Sequence, residues 1–115
     1  MLKMSKIMSI KQNARFQRLY KKGDSAVLKT FVIYLKKRND DSLFLGITVT
    51  KKIGKAVVRN RIRRLIRESY RLKEDSIKSG YYIVIVARGK AAFASYNQIS
   101  KDMAFLLKKS GLIES

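Results

Sequence analysis

The chain contains no cysteine, no histidine and no proline. Each absence closes a class of function or structure. Without cysteine there is no disulfide framework, no thiol nucleophile and no zinc–thiolate site. Without histidine, the commonest general acid–base and the commonest metal ligand are both missing. Without proline, glycine and short polar clusters have to punctuate the chain. Negative charge is scarce: 8 Asp and Glu stand against 27 Lys and Arg, a formal net charge of +19 over 115 residues. Long apolar runs are missing too. Uncharged stretches reach about ten residues, as in Ala91 to Ser100, against the roughly 18–20 that span a bilayer. Met1-Leu2-Lys3-Met4-Ser5-Lys6 is interrupted by charge too often to make a signal-peptide core. The expectation is a soluble, cytoplasmic protein.

What is present points to one domain over residues 1–115. Hydrophobic residues make up 46% of the chain, enough for one modest core. No internal repeat or low-complexity linker divides it. So large a cationic excess destabilises the compact state by self-repulsion. A polyanionic partner is the usual reason to carry it, with nucleic acid the first candidate and an anionic membrane surface the second.

Periodicity supplies the elements. Ser9 to Lys21 reads as a short helix, with Phe16, Leu19 and Tyr20 at i, i+3, i+4 spacing and Gly23 just past its end. Lys29 to Lys37 reads as a strand, with Phe31, Ile33 and Leu35 on one face and Val32 and Tyr34 on the other. Asn39-Asp40-Asp41-Ser42 is a turn, and Leu43 to Thr50 a partner strand, predicting an antiparallel hairpin. Lys51-Lys52-Ile53-Gly54-Lys55 is a basic loop before a long helix from about Ala56 to Ile77. Ser79-Gly80 breaks that helix. Tyr81 to Ala87 is so uniformly apolar and β-branched that it belongs in the middle of a sheet. A last helix runs from about Ser95 to Lys109, with Ile99, Met103, Leu106 and Leu107 as its apolar stripe. The order is α-β-β-α-β-α, with a short extra strand near Ser25 to Leu28. The fold class is α+β, an α/β sandwich of one four-stranded sheet packed with helices.

The long helix carries the functional reading. At about 100° per residue, Val58, Ile62, Leu65, Ile66, Ser69 and Leu72 share one arc. Arg59, Asn60, Arg63, Arg64, Arg67 and Arg71 share the opposite arc, with Arg61 at the edge of the apolar side. Solvated helix faces usually mix Glu with Lys to gain i,i+4 pairs; here only Glu68, near the border, offsets five arginines. Arginines at i,i+4 repel one another, and each guanidinium offers a planar fork of donors suited to phosphate. Lys51, Lys52 and Lys55 lead into the helix N-terminus, where free N–H groups and the dipole favour an anion. Gly54 serves the turn and also allows close backbone approach.

The eighteen residues from Lys51 to Glu68, with Arg59-Asn60-Arg61 at their centre, resemble the Arg-Asn-Arg signature of the bacterial ribonuclease P protein family. The order of elements agrees from about Ser9 to Lys109. Phe16 to Gly23 is similar to the family's first helix, Phe31 to Tyr34 to its first long strand, and Ile83 to Arg88 to its last. The resemblance implies a ribonucleoprotein in which one large RNA carries the active site, uses Mg²⁺ and removes the 5′ leader of precursor tRNA. The protein would bind that RNA one to one, hold no cofactor stably itself, and need neither membrane nor DNA. Contacts to the catalytic RNA would come from Lys51, Lys52, Lys55, Arg59, Asn60, Arg61, Arg63, Arg64 and Arg67. A leader cleft between the first helix and the sheet would include Phe16, Tyr20, Val32 and Tyr34, with Arg18 and Arg88 nearby. The family also implies a left-handed strand–helix–strand crossover, against the general right-handed rule. Two departures stand out: Tyr20 replaces the more usual Phe, and Arg88-Gly89-Lys90 lacks the proline often found after that arginine. The first eight residues have no counterpart and are expected to be mobile.

From the residues alone, Phe16 and Tyr20 suit base stacking, but Phe16 with Leu19 equally suits a core, and Val32 and Tyr34 could pack beneath a helix. Other functions fit less well. A nuclease acting alone needs a carboxylate cluster or a histidine pair, and the acids, such as Asp40, Asp41, Glu74 and Asp75, are scattered. A general ribosomal-type RNA-binding module fits the composition but not the signature. A membrane-surface helix would have Trp or Phe on its apolar side, and this one is aliphatic.

Overall fold

The computed structural model describes residues 5–7 and 24–113. Its elements are β1 (Lys6–Ile7), β2 (Asp24–Val27), β3 (Phe31–Lys37), β4 (Leu43–Thr48), α1 (Ala56–Arg71), β5 (Tyr81–Ala87) and α2 (Tyr96–Lys109). Short 3-10 turns lie at Lys51–Ile53, Glu74–Ser76 and Gly89–Phe93. The helix expected over Ser9 to Lys21 falls outside the described residues.

The sheet is mixed, in the order β1-β4-β5-β3-β2. β4 and β5 are parallel, while β3 runs antiparallel to both β5 and β2. These are the four expected strands, the short one at Asp24–Val27 included. The two-residue β1 adds an edge, parallel to β4. β5 takes the centre because nothing in it requires water: Ile83 and Ile85 are buried on one face and Val84 on the other.

That placement corrects the expected hairpin. β3 and β4 do not pair, since β5 lies between them. The link from Arg38 to Ser42 therefore spans a strand's width and arches over the start of β5. Gly80 joins the two: its N–H donates to the Ser42 carbonyl at 3.0 Å, and its own carbonyl accepts from the Arg38 N–H at 2.7 Å. Gly80 has φ +85°, and a Cβ there would stand 2.8 Å from the Asp40 carbonyl oxygen. Gly80→Ala should thus cost about 1–3 kcal/mol. Urea unfolding would show it as a lower midpoint with an unchanged slope; an unmoved midpoint would contradict the close approach.

The helix between β4 and β5 ends at Arg71, not near Ile77. Six residues of β4 advance the chain about 20 Å at ~3.3 Å each. Sixteen helical residues return it about 24 Å at ~1.5 Å each. A helix continued to Ile77 would overshoot the start of β5, so the chain turns at Glu74–Ser76 and drops Ile77 into the core. Past the helix end, Leu72 is 76% exposed, whereas Tyr70 is fully buried. The wheel thus misplaced Leu72 and overlooked Tyr70, which continues the Ile62–Ile66 row at i+4 spacing.

One face of the sheet carries the main core: Phe31, Ile33, Leu45, Ile83 and Ile85 meet Ile62, Leu65, Ile66 and Tyr70 of α1 and the expected stripe of α2. Ser95 caps α2, its hydroxyl accepting from the Gln98 N–H at 3.1 Å. Lys73 ties the two helices, donating to the Ser69 carbonyl and to Ser100 Oγ. Its partial burial lowers the ammonium pKa.

Candidate nucleic-acid interface

With its apolar row on the sheet, α1 turns its arginines away from the core. Arg64, Arg67 and Arg71 are exposed. Among the described residues their side chains make no hydrogen bond or ion pair. With Asn60, Arg63 and Glu68 they line a shallow concavity of about 350 Å³. Glu68 neutralises none of them: the ion pair between described residues is Arg38–Asp40, elsewhere in the fold.

The N-terminal half of the face is more ordered by its own bonds. Arg59 is half-buried and donates from Nε to the Gly54 carbonyl at 3.2 Å. Arg63 reaches Asn60 Oδ1 and the Val49 carbonyl. Arg61 leaves the face, as its wheel position suggested, and donates to the Ala94 carbonyl at 3.2 Å. Lys51, Lys52 and Lys55 are all exposed on the preceding loop. Lys55 is the N-cap, contributes no side-chain cap bond, and no acid occupies the first turn. Cations at the positive end of a helix dipole oppose the helix. The arrangement is costly for the protein alone and suited to an anion.

The sheet's other face bears a smaller apolar cluster. Val84 is buried there among Tyr34, Phe44, Tyr82 and Val86. Val32 stands opposite Val86 and Tyr34 opposite Val84 in the ladder. Both are half-buried, on the face away from α1 and α2, as the alternation predicted. Arg88, just past β5, is exposed and donates to the Leu28 carbonyl at 2.9 Å. Phe16, Arg18 and Tyr20 lie outside the described residues, so the structure brings together Val32 and Tyr34 but not the remainder of the expected cleft.

A cation–aromatic group at the rim of this face escaped sequence reasoning. The Arg38 guanidinium stands 4.5 Å from the centroids of both Phe44 and Tyr82, whose rings are 5.3 Å apart. Its other side holds Asp40 by two bonds of 2.9 and 2.8 Å. That guanidinium, with the Ser42 N–H, keeps the Asp40 carboxyl well below the usual carboxylate range. Residues 38, 44 and 82 come together only through the strand order, and no local pattern signals them.

No three His, Cys, Asp or Glu side chains among the described residues stand together as a metal site. Asp40 serves the turn and Glu74 accepts from the Ser5 N–H. No helix among them is long and apolar enough to cross a membrane.

Comparison with known proteins agrees with this geometry. The family model Ribonuclease P matches residues 4–111. The ribonuclease P protein component of Alkaliphilus oremlandii is 41% identical over 112 residues, covering 97% of this chain and 98% of that protein. The corresponding component of Clostridioides difficile is 42% identical over 104 residues, or 90% and 91% of the two chains. Among solved structures, the RNase P protein of Staphylococcus aureus superposes with a TM-score of 0.82 at 35% identity, covering 96% of this chain and all of that one. The Thermotoga maritima protein gives 0.77 at 29% identity, covering 90% of this chain and 96% of that one.

Proposed function

The chain belongs to the ribonuclease P protein family, and on that premise we propose that it holds two RNAs on two different surfaces. It is a protein subunit of an endoribonuclease holoenzyme and acts in tRNA 5′ leader processing. The catalytic RNA lies along Lys51, Lys52, Lys55, Arg59, Asn60, Arg61, Arg63, Arg64 and Arg67, and Arg71 extends the same exposed face onto its backbone. The leader of precursor tRNA lies against Val32 and Tyr34, with Phe16, Arg18, Tyr20 and Arg88 completing the cleft. The observation that carries this reading is the set of exposed α1 arginines that no side chain among the described residues neutralises.

The protein's work is binding and positioning. Guanidinium forks and lysines replace counterions on the RNA backbone, and their release drives association. Tyr34 offers an aromatic plane to an unpaired leader base. Mg²⁺ chemistry is assigned to the RNA, as the family resemblance implies; the acids among the described residues form no cluster of three that could hold a metal ion. One RNA and one protein form the unit, and it works in the cytoplasm.

The test is cleavage of a precursor tRNA at low Mg²⁺ by a bacterial ribonuclease P RNA, with and without this protein, beside the protein alone. Cleavage at the mature 5′ end that requires the RNA and is stimulated by the protein is expected. In the assembled enzyme, Tyr34→Ala should weaken binding of precursor but not mature tRNA by about 1–3 kcal/mol. Equal loss for both substrates would return Tyr34 to a packing role.

A further inference from the structure

A second aromatic surface lies apart from the leader cleft. Phe93, at the end of the 3-10 turn after β5, is 93% exposed, more than any other large hydrophobic side chain described. It borders an apolar groove of about 590 Å³ whose walls are the β2–β3 turn, the 3-10 turn and the first turns of α2. That volume falls within the range of roughly 300–1,000 Å³ usual for small-molecule sites.

Lys29 and Lys90 line the groove from its two sides. Its one carboxylate, Asp102, is engaged on both oxygens, by the Thr30 hydroxyl at 2.5 Å and the Gln98 amide at 2.8 Å. An open aromatic ring in a groove that two lysines also line can take a base on the ring and its phosphates on the ammonium groups. The groove also joins the arginine helix. Arg61 of α1 donates to the carbonyl of Ala94, which lines the groove. Tertiary contacts also bring the 3-10 turn at Gly89–Phe93 against α1 and the basic turn at Lys51–Ile53.

Resting on the assignment of the α1 face to the catalytic RNA, we propose that this groove receives one unstacked base of that RNA, on the Phe93 ring, with its flanking phosphates held by Lys29 and Lys90. Backbone contacts along α1 carry no register of their own. A flipped base seated at Phe93 supplies one, fixing where along the RNA the helix lies.

The experiment uses the full chain and a bacterial ribonuclease P RNA as probe. Phe93→Ala should leave the melting temperature unchanged, because the ring is exposed, and raise the Kd for the RNA about 5- to 150-fold, the equivalent of ~1–3 kcal/mol of stacking. The slope of log Kd against log salt should stay that of the parent, since stacking releases no counterions. Phe93→Tyr should restore affinity. The chain has no tryptophan, so Phe93→Trp introduces a single reporter whose emission should be quenched as the RNA saturates it. Unchanged affinity of Phe93→Ala with unquenched Phe93→Trp would overturn the proposal. So would loss of self-association with RNA affinity intact, or a loss confined to precursor tRNA. Arg64/Arg67/Arg71→Ala, measured in parallel, separates the two readings. If it alone loses the RNA, the groove assignment falls and the helix assignment stands. If it too binds as the parent does, both fall.

Discussion

Replacing Arg64, Arg67 and Arg71 together with alanine is expected to lower affinity for the catalytic RNA on the order of 10³-fold at about 50 mM salt. The salt slope should flatten by about three units, one for each lost phosphate contact. The melting temperature should hold or rise, because these side chains bond to nothing within the described fold and repel one another. Filter binding or anisotropy across a salt series reads the slope directly. An unchanged slope would mean that the α1 face is not on phosphate. The set Arg59, Arg63 and Arg67 is less clean as a test. Arg59 and Arg63 also bond the Gly54 and Val49 carbonyls, so their loss should loosen the basic loop as well as the RNA. Comparing the two triples separates direct charge contact from loop ordering.

Tyr70→Ala should be the most destabilising single change, at about 3–5 kcal/mol. A domain of this size has a total stability of only about 5–15 kcal/mol. The ring is fully buried where α1 ends, and its hydroxyl meets Ser5 Oγ at 2.6 Å. Tyr70→Phe keeps the packing and leaves only that bond unmade, for about 1 kcal/mol. A large loss for Ala with a small one for Phe assigns the role to burial; near-equal losses would assign it to the Ser5 bond. Burial also pushes the phenol pKa up from its ordinary value. A raised folded-state pKa means that this group's contribution is complete below the unfolded value near 10 and drains away as pH climbs past it. Alkaline unfolding should therefore begin later in Tyr70→Phe than the lost hydrogen bond alone would suggest.

Much of this was legible because it is periodic. The β-branched run Tyr81 to Ala87 marked the central strand, alternation in Phe31 to Leu35 sorted that strand's two faces, and the 3.6-residue repeat separated core from arginines in α1. What escaped depends on contacts distant in the chain. A turn-like Asn39-Asp40-Asp41-Ser42 between two strands reads as a hairpin, and nothing local announces that a third strand passes beneath it. Tyr70 sits among charged neighbours and looks like surface until the helix row is followed to its end. Arg38 gains its aromatic partners only through the strand order. Phe93 lies in a run read simply as uncharged, and its exposure follows from the short turn that β5 and α2 share.

The strand order also has a consequence for how the chain is made. β3 and β4 are synthesised well before β5, yet they end about 9–10 Å apart, twice the usual strand spacing, with a slot between them that only residues 81–87 can fill. Until those residues leave the ribosome, both inner strands present unpaired edges, which are templates for wrong partners. The sheet cannot close locally. It waits for a segment some forty to fifty residues downstream of β3, a high-contact-order arrangement that slows folding. In that interval the nascent chain's lysines and arginines serve as protection, since like charges on neighbouring chains keep open edges from meeting. The positive charge that makes the finished protein an RNA binder would also be what keeps its unfinished sheet from aggregating.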